Sequence, residues 1–506
     1  MDKNNYGLTL LTLSMIIKNE EKYLERCLSS AKEITDEIVI VDTGSTDNSK
    51  QIAQSFGAKT FDYKWCNDFS AARNFALEKS TGDWILYLDA DEEINQHSIP
   101  EIQKIKNTKQ TKAFNCKIRN VNEFTGRESL MTYPRLFPNI KSLAFQGKVH
   151  EQILTSLKSN NIKIENSNIE IIHYGYNLSK EDFKKKAERN LKLLLDEYAC
   201  NKSPYVEFQI GQTYNILENG EQAAKYFQLA VKDKNLERDY LSTAHRVLSH
   251  YYLEKMNMDE AANHIEKSIQ YDDRQPVSFL HRARLNSLTN QKEKCFSDIE
   301  KVMNVIYNLR ETTDEYLQII TISEEEVFCE AIKYSLMFDE TEKFKFYFSE
   351  YEKRCSNLTL RFIPDFIDII KSIAEKKKIP TEISGCKLEE RHLEIFVLLI
   401  KKLNVNYEIY FSVFENWFNK SFLFNKEYGM LLLAKGELEL AEEKLSTAQL
   451  LNDNDPSVYF FLLSVFISKN QIDKAKKHIE KIGFKFSSNN RLLSKINMIK
   501  EKLFHT

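Results

Sequence analysis

The chain has 506 residues, enough at roughly 100–200 per domain for two to four domains with cores of their own. Its 71 Lys and Arg stand against 74 Asp and Glu, a net charge of -3 that excludes a protein built around bulk nucleic-acid binding. Hydrophobic residues at 42% exclude disorder over most of the length, and 13 Gly with 8 Pro disfavour an all-β chain of many tight turns.

Leu8 to Ile17 reads as a buried strand and Glu21 to Ala31 as a helix. Glu37 to Val41 is a second strand, and Asp47 to Phe56 a second helix with Ser45 or Thr46 available as its N-cap. Ala58 to Phe61, Phe69 to Lys79 and Trp84 to Leu88 continue as strand, helix and strand, with Asp68 positioned to cap the helix. Such alternation of apolar strands and helices predicts a parallel α/β sheet covered on both faces. After Asp91 the rhythm breaks. Ala113 to Arg119 and Ile169 to His173 read as strands and Ser129 to Phe137 as a further candidate. The stretch between, with Tyr133, Pro134, Pro138 and Gly147, reads as loop and hairpin.

From about Lys184 strand signals vanish. Ile210, Gly211, Tyr214, Ala223, Phe227 and Ala230 recur as Leu248, Ser249, Tyr252, Ala261, Ile265 and Ser268, and again around Ala283, Cys295, Ile299 and Val302. Tyr428, Gly429, Leu432, Ala441, Leu445 and Ala448 fit the same slots, as do Leu462, Leu463, Phe466 and Ala475. Ala261 to Cys295 and Ala441 to Ala475 are both steps of 34 residues, the tetratricopeptide period. The expected organisation is a sheet domain over 1–183, repeats over 184–310, helices of unclear repeat type over 311–420 and further repeats over 421–506.

The eight Cys, at 27, 66, 116, 200, 295, 329, 355 and 386, form no C-x-x-C pair, so a reduced cytoplasmic chain is expected. No secretory signal is read before the first strand. No apolar run reaches the roughly 18 residues of a membrane span, the richest being Val458 to Ile467.

In an open parallel sheet, ligands bind beyond the carboxyl ends of the strands. Those ends carry Lys18-Asn19-Glu20, Asp42-Thr43-Gly44-Ser45-Thr46-Asp47 and Asp89-Ala90-Asp91-Glu92-Glu93. There is no G-x-G-x-x-G and no P-loop, so the dinucleotide and P-loop readings fail. Asp89-Ala90-Asp91 is the sharpest feature. Two carboxylates one residue apart at the end of a buried strand can face one divalent cation, Mg2+ or Mn2+, bridging a diphosphate. Alone, a D-x-D reads more readily as a solvated turn; its neighbours reverse that.

Ser14-Met15-Ile16-Ile17-Lys18-Asn19-Glu20, Val39-Ile40-Val41-Asp42-Thr43-Gly44-Ser45-Thr46-Asp47, Asp68-Phe69-Ser70-Ala71-Ala72-Arg73-Asn74 and Asp83-Trp84-Ile85-Leu86-Tyr87-Leu88-Asp89-Ala90-Asp91-Glu92 stand in order. Over about the first 180 residues the chain thus resembles a family 2 glycosyltransferase. The repeat half is similar to a subgroup of that family, the sublancin-type bacteriocin S-glycosyltransferases, which attach sugars to peptides. The resemblance implies an α/β GT-A (Rossmann-like) catalytic domain followed by an all-α tetratricopeptide-type solenoid. It implies that Asp42 bonds the uracil or ribose of a UDP-sugar, with Thr43 where many relatives carry a second Asp. Asn19 and Glu20 would border the nucleotide pocket. Arg73 would face the donor, or else be a surface Arg paired with a nearby Asp. Asp68 is a helix cap or a donor-sugar contact. Asp89 would touch ribose or metal, and Asp91 would bind the metal.

Inverting transfer needs a carboxylate to take the acceptor's proton. Glu151, in Gly147-Lys148-Val149-His150-Glu151, is the candidate base, the alternative being an ordinary exposed Glu. His150 would orient the diphosphate or acceptor. His173 would reach the metal or diphosphate, or else be a satisfied core histidine. The expected activity is metal-dependent, inverting transfer of a hexose from a UDP-sugar to a peptide or protein side chain, Cys or Ser/Thr. The repeat half would grip that acceptor or form a homodimer. The alternatives are a glycan or lipopolysaccharide-core acceptor and a non-catalytic nucleotide-sugar-binding scaffold.

Overall fold

In the computed structural model the apolar run Leu11–Ile17 forms β1, buried along almost its whole length because both sheet faces are covered. The structure describes residues 9–108, 111–121, 128–175, 180–233, 236–309, 319–320, 322–355, 362–385, 387–487 and 490–504. Leu8, Tyr176 and Cys386 lie outside the described residues. The chain divides into two units, Met1–Val327 and Phe328–Thr506.

In the first unit β1 is followed by α1 (Leu24–Ala31), β2 (Glu37–Asp42), α2 (Ser49–Ser55), β3 (Lys59–Asp62), α3 (Phe69–Lys79) and β4 (Trp84–Tyr87). β1 pairs in parallel with β2 and β4, and β2 with β3, as the alternation predicts. Asp68 caps α3, accepting from Ala71 N at 3.0 Å. The cap of α2 differs: its N-cap is Asn48, without a side-chain bond, because Ser45 and Thr46 are drawn to Asp42 and Asn19.

Then come β5 (Glu92–Ile94), α4 (Ile99–Lys106), β6 (Lys112–Val121), β7 (Glu128–Pro138), α5 (Leu154–Ser159) and β8 (Lys163–His173). The sheet order is β3-β2-β1-β4-β7-β6-β8-β5. β7 runs antiparallel to β4 and β6, β8 parallel to β6, and β5 antiparallel to β8, so the sheet is mixed. Tyr133 and Pro134, read as loop, lie inside β7. A register shift between Phe114 and Asn115 of β6 falls opposite Pro134, which accommodates the missing N–H. The short β5 and α5 carry no periodicity that the sequence reading could catch.

α6 (Lys180–Cys200) opens the helical part, followed by α7 (Pro204–Ile216), α8 (Gly220–Ala230), α9 (Arg238–Glu254), α10 (Met258–Tyr271), α11 (Pro276–Leu288) and α12 (Lys292–Leu309). They pack as pairs, α7 on α8, α9 on α10 and α11 on α12. The small slots lie where helices cross: Ala223, Ala261, Ala283 and Cys295 are buried, and a side chain on Gly211 would press on the Phe227 ring. In the second unit Phe422–Lys435 packs on Leu438–Leu451, with Gly429 against Leu445. Among the described residues no helix is long and apolar enough to cross a membrane, and Cys27, Cys66, Cys116 and Cys200 are free thiols.

The sheet and the first helices share a core. Val149, from the segment after β7, packs with Leu193 and Leu194 of α6, Val206 and Ile210 of α7, and Phe69 of α3. A chain ending at residue 183 leaves that cluster half-made and is expected to lose cooperative melting, whereas one ending at Val327 keeps it. Ile210→Ala in the full chain should cost about 2–5 kcal/mol in denaturant titration. An unchanged midpoint would show that the cluster does not hold the two parts together.

Candidate active site

The ends of β1 and β2 form one corner. Asn19 turns the chain with φ 57. Its Oδ1 accepts from Thr46 N at 2.7 Å, and its own N–H donates to Ser45 Oγ at 2.9 Å. Asp42 is buried at the end of β2; its carboxylate accepts from Ser45 N at 3.0 Å and Ser45 Oγ at 2.5 Å, with Lys50 Nζ 3.4 Å away. The Thr43 amide and hydroxyl both donate to Ile17 O at 3.0 Å, so that side chain closes β1 against β2.

The end of β4 is a charge network. Asp89 N donates to Glu92 Oε2 at 2.8 Å, and Glu92 N to Asp89 O at 3.0 Å, which folds Asp89-Ala90-Asp91-Glu92 into a tight turn. Arg73, from α3, donates through NH2 to Asp89 Oδ1 and through Nε to Glu151 Oε1, the latter at 2.5 Å. Arg135, from β7, donates to Glu92 Oε1 at 2.6 Å and lies 3.7 Å from Asp89 Oδ2. Both guanidiniums are buried and sit over the Tyr87 ring, at 5.1 and 4.3 Å. Burial pushes the Asp89 carboxyl up, but the charges of Arg73 and Arg135 outweigh it and hold Asp89 well below the usual carboxylate range.

Asp91 meets His173 from the end of β8. The pairing of β5 with β8 sets Glu92 opposite His173, Tyr174 N donates to Asp91 O at 2.9 Å, and His173 Nε2 lies 3.5 Å from Asp91 Oδ2. His173 Nδ1 is 2.6 Å from Asn120 Oδ1, which orients the ring with Nε2 toward Asp91. Burial pushes the imidazole down, but Asp91 and Glu92 more than reverse that, so it is raised. A β-carbon on Gly175 would collide with both the Asp91 carboxylate and the His173 ring, so glycine there permits the meeting. Glu20 is pushed up to about 7, first by burial and then by the charges of Asp91 and Asp89, with Lys186 of α6 opposing. Asp91 Oδ2 and His173 Nε2 are oxygen and nitrogen donors at nearly the separation that two ligands of one small divalent cation adopt, about 3 Å. The pair fits such an ion; Asp89 is engaged by guanidiniums instead.

Glu151 is half-enclosed, its side chain 12% exposed, rather than a free surface Glu. Its loop is held on one side by Asn74, which exchanges two bonds with the Phe145 backbone at 3.0 and 2.7 Å. On the other side Lys148 N donates to Glu197 of α6 at 2.9 Å, and Tyr205 OH of α7 donates to His150 O at 3.2 Å. Gln152 Nε2 donates to Tyr205 OH at 2.8 Å and to Tyr240 OH of α9 at 3.1 Å. His150 takes φ 56 with its side chain exposed. The structure thus joins Asp89, Arg73 and Glu151 in one cluster and sets Asp91 with His173 beside it. Arg135, Glu92, Asn120 and Gly175 were missed. The available signal was Arg135 itself, a charge inside the run Pro134-Arg135-Leu136-Phe137.

Residues 12–171 match the family model described as Glycosyl transferase family 2. The chain is 28% identical over 332 residues to the SPbeta prophage-derived glycosyltransferase SunS of Bacillus subtilis, covering 62% of this chain and 76% of that protein. It is 35% identical over 210 residues to a TPR repeat-containing protein of Synechococcus elongatus, covering 39% of this chain and 52% of that one. The chain thus spans about half the length of the cyanobacterial relative. Among solved structures, S. aureus TarS 1-349 in complex with UDP-GlcNAc is similar with a TM-score of 0.31 and 15% identity, covering 52% of this chain and 91% of that one.

Glu20 holds its proton to higher pH in the folded chain, about 7 against an ordinary 4.5. Its contribution to stability is therefore complete below about 4.5 and is lost as pH rises through about 7, by up to about 3 kcal/mol. In the metal-free protein, Glu20→Gln should become more stable relative to wild type between pH 4.5 and 7.5, read as melting temperature against pH. Parallel curves for the two proteins would refute this.

Proposed function

Because residues 12–171 form a family 2 glycosyltransferase domain, we propose that the chain transfers a hexose from a UDP-sugar to a Cys or Ser/Thr side chain of a peptide or protein, with inversion. The observation that carries this reading is the convergence at the strand ends: Asp91 facing His173 beside one guanidinium shared by Asp89 and Glu151.

Asp42 and the Asn19 turn border the uracil and ribose. Asp91 and His173 would hold a divalent cation, Mn2+ or Mg2+, with Asn120 orienting the imidazole from behind. Bound there, the ion supplies positive charge to the diphosphate as it leaves. Asp89 remains ionised between its two guanidiniums and keeps Arg73 in place. Glu151 takes the acceptor's proton at its carboxylate while the nucleophile attacks the anomeric carbon and the bond to the UDP oxygen breaks. Arg73 holds that carboxylate in position. His150, exposed beside it, lies where an acceptor would enter. The helices that buttress this loop suit an extended acceptor, since repeat arrays present long continuous surfaces.

Asp91→Ala should abolish transfer and weaken Mn2+ binding by calorimetry while circular dichroism stays unchanged. Full activity would remove the metal model. Release of hexose from UDP-sugar without acceptor, measured with and without Mn2+, separates an enzyme from a binding scaffold.

A second expectation concerns Glu151→Gln. A hydroxyl acceptor has a high pKa and needs the base throughout, and losing a base typically costs about 10²–10⁴-fold. A thiol, with a pKa near about 8.5, is partly ionised at neutral pH and needs it less. The variant should cripple transfer to Ser more than to Cys in peptides differing at that residue alone, with UDP affinity nearly unchanged. Small equal losses in kcat would show that Glu151 is not the base.

A further inference from the structure

The helices α7, α9 and α11 lie side by side. On α9, Arg246 and His250 stand one turn apart on one face; on α11, His281 and Arg284 do the same. The imidazoles of His250 and His281 stack across the two helices with 5.6 Å between ring centres, so the four side chains form one patch. Its positive charge rests on the two arginines, because burial pushes both imidazoles down, His281 to about 3. An adjoining face of α9 is occupied by α10, where Ser249 Oγ donates to Ala261 O at 2.7 Å.

The two arginines of this patch lack counter-charge. Arg246 is half-buried, and burial pushes its guanidinium down to about 10. Among the described residues neither Arg246 nor Arg284 has a carboxylate partner. Arg282, two positions from Arg284, shows what a satisfied arginine looks like here: it is 2.7 Å from Asp298 and 2.8 Å from Glu266. His281 Nε2 is buried without a hydrogen-bond partner. Glu254 lies 3.5 Å from His250, and it is the one carboxylate paired with the patch among the described residues. A half-desolvated guanidinium without a partner is an unfavourable arrangement that an incoming carboxylate relieves.

The patch is also tied to the candidate active site. Tyr240, in the first turn of α9, accepts from Gln152, the neighbour of Glu151. Along the helix Arg246 and His250 lie about 9 and 15 Å beyond Tyr240. An extended segment covers that distance in about three to five residues.

We propose that the Arg246–His250–His281–Arg284 patch binds an acidic stretch of the peptide acceptor, at least three to five residues from the side chain presented to Glu151. The inference rests on the reading of the chain as a peptide-modifying transferase. The patch would set which peptides are used by charge complementarity, acting mainly on acceptor affinity rather than on the chemical step.

The test uses the full chain and two fluorescein-labelled peptides. Each contains one Cys and one Ser, and they differ only in carrying three Glu or three Gln four residues away. In polarisation titrations the Glu peptide should bind about tenfold tighter than its Gln twin. In Arg246→Gln/Arg284→Gln the difference should shrink to about twofold or less, with UDP affinity and circular dichroism unchanged. Arg246→Glu/Arg284→Glu should reverse the preference toward a Lys-bearing twin. Equal binding of the twins by wild type, or a preference that survives Arg246→Gln/Arg284→Gln, overturns the proposal. An oligothymidylate of equal charge binding as tightly as the Glu peptide also overturns it, because the patch would then accept any polyanion. Hexose transfer from a UDP-sugar is followed on the same peptides. Charge-dependent binding without transfer puts the failure on the transferase reading and leaves the patch. Transfer indifferent to the Glu residues does the reverse.

Discussion

The guanidinium of Arg73 is buried between two carboxylates that are far apart in sequence, Asp89 at the end of β4 and Glu151 in the loop after β7. Removing one partner from such a buried pair typically costs about 3–5 kcal/mol, because the charges left behind are stranded away from water. Around it the count of charges is unequal. Two guanidiniums, Arg73 and Arg135, face Asp89, Glu92 and Glu151, and Asp91 lies beside them against His173. The surplus is negative, and it adds to shifts at the rim: Glu20 is pushed up to about 7, first by burial and then by Asp91 and Asp89, and His173 is raised by Asp91 and Glu92 against its burial. Asp91 is the carboxylate that the guanidiniums do not reach, and it meets His173 instead.

The same constraint explains why sheet and helices cannot be considered apart. Glu151 reaches Arg73 because its loop is clamped from both sides, by Asn74 on α3 and by Glu197, Tyr205 and Tyr240 on α6, α7 and α9. Val149 of that loop is buried among α6 and α7 side chains. The position of the candidate base is therefore set by these helices as much as by the sheet.

What was legible in the sequence is what short-range pattern encodes. The alternation of apolar strands and helices through β4, the Asp68 cap and the small slots at helix crossings follow from periodicity and local hydrogen bonding. The acidic strand ends could be seen to converge, since a parallel sheet brings its carboxyl ends to one edge. The rest depends on pairings distant in the chain. Ser129 to Phe137 was legible as a candidate strand, but how Pro134 is tolerated inside it was not: β6 shifts register opposite it. Thr43 looked free to meet a ligand, yet its hydroxyl is spent on Ile17 O. Arg135 and Glu92 became part of the site only once β7 lay beside β4.

In the proposed reaction the shared guanidinium makes the two substrates dependent on one another. Arg73 contacts Asp89 through NH2 and Glu151 through Nε, so neither carboxylate can shift without changing what the other sees. A diphosphate arriving near Asp89 adds negative charge that competes for the same guanidiniums, and a cation at Asp91 offsets it. A donor diphosphate and the carboxylate proposed as base would therefore draw on the same guanidinium. The acceptor-side helices complete the arrangement by fixing the loop from behind, leaving Arg73 as the element through which donor binding is felt.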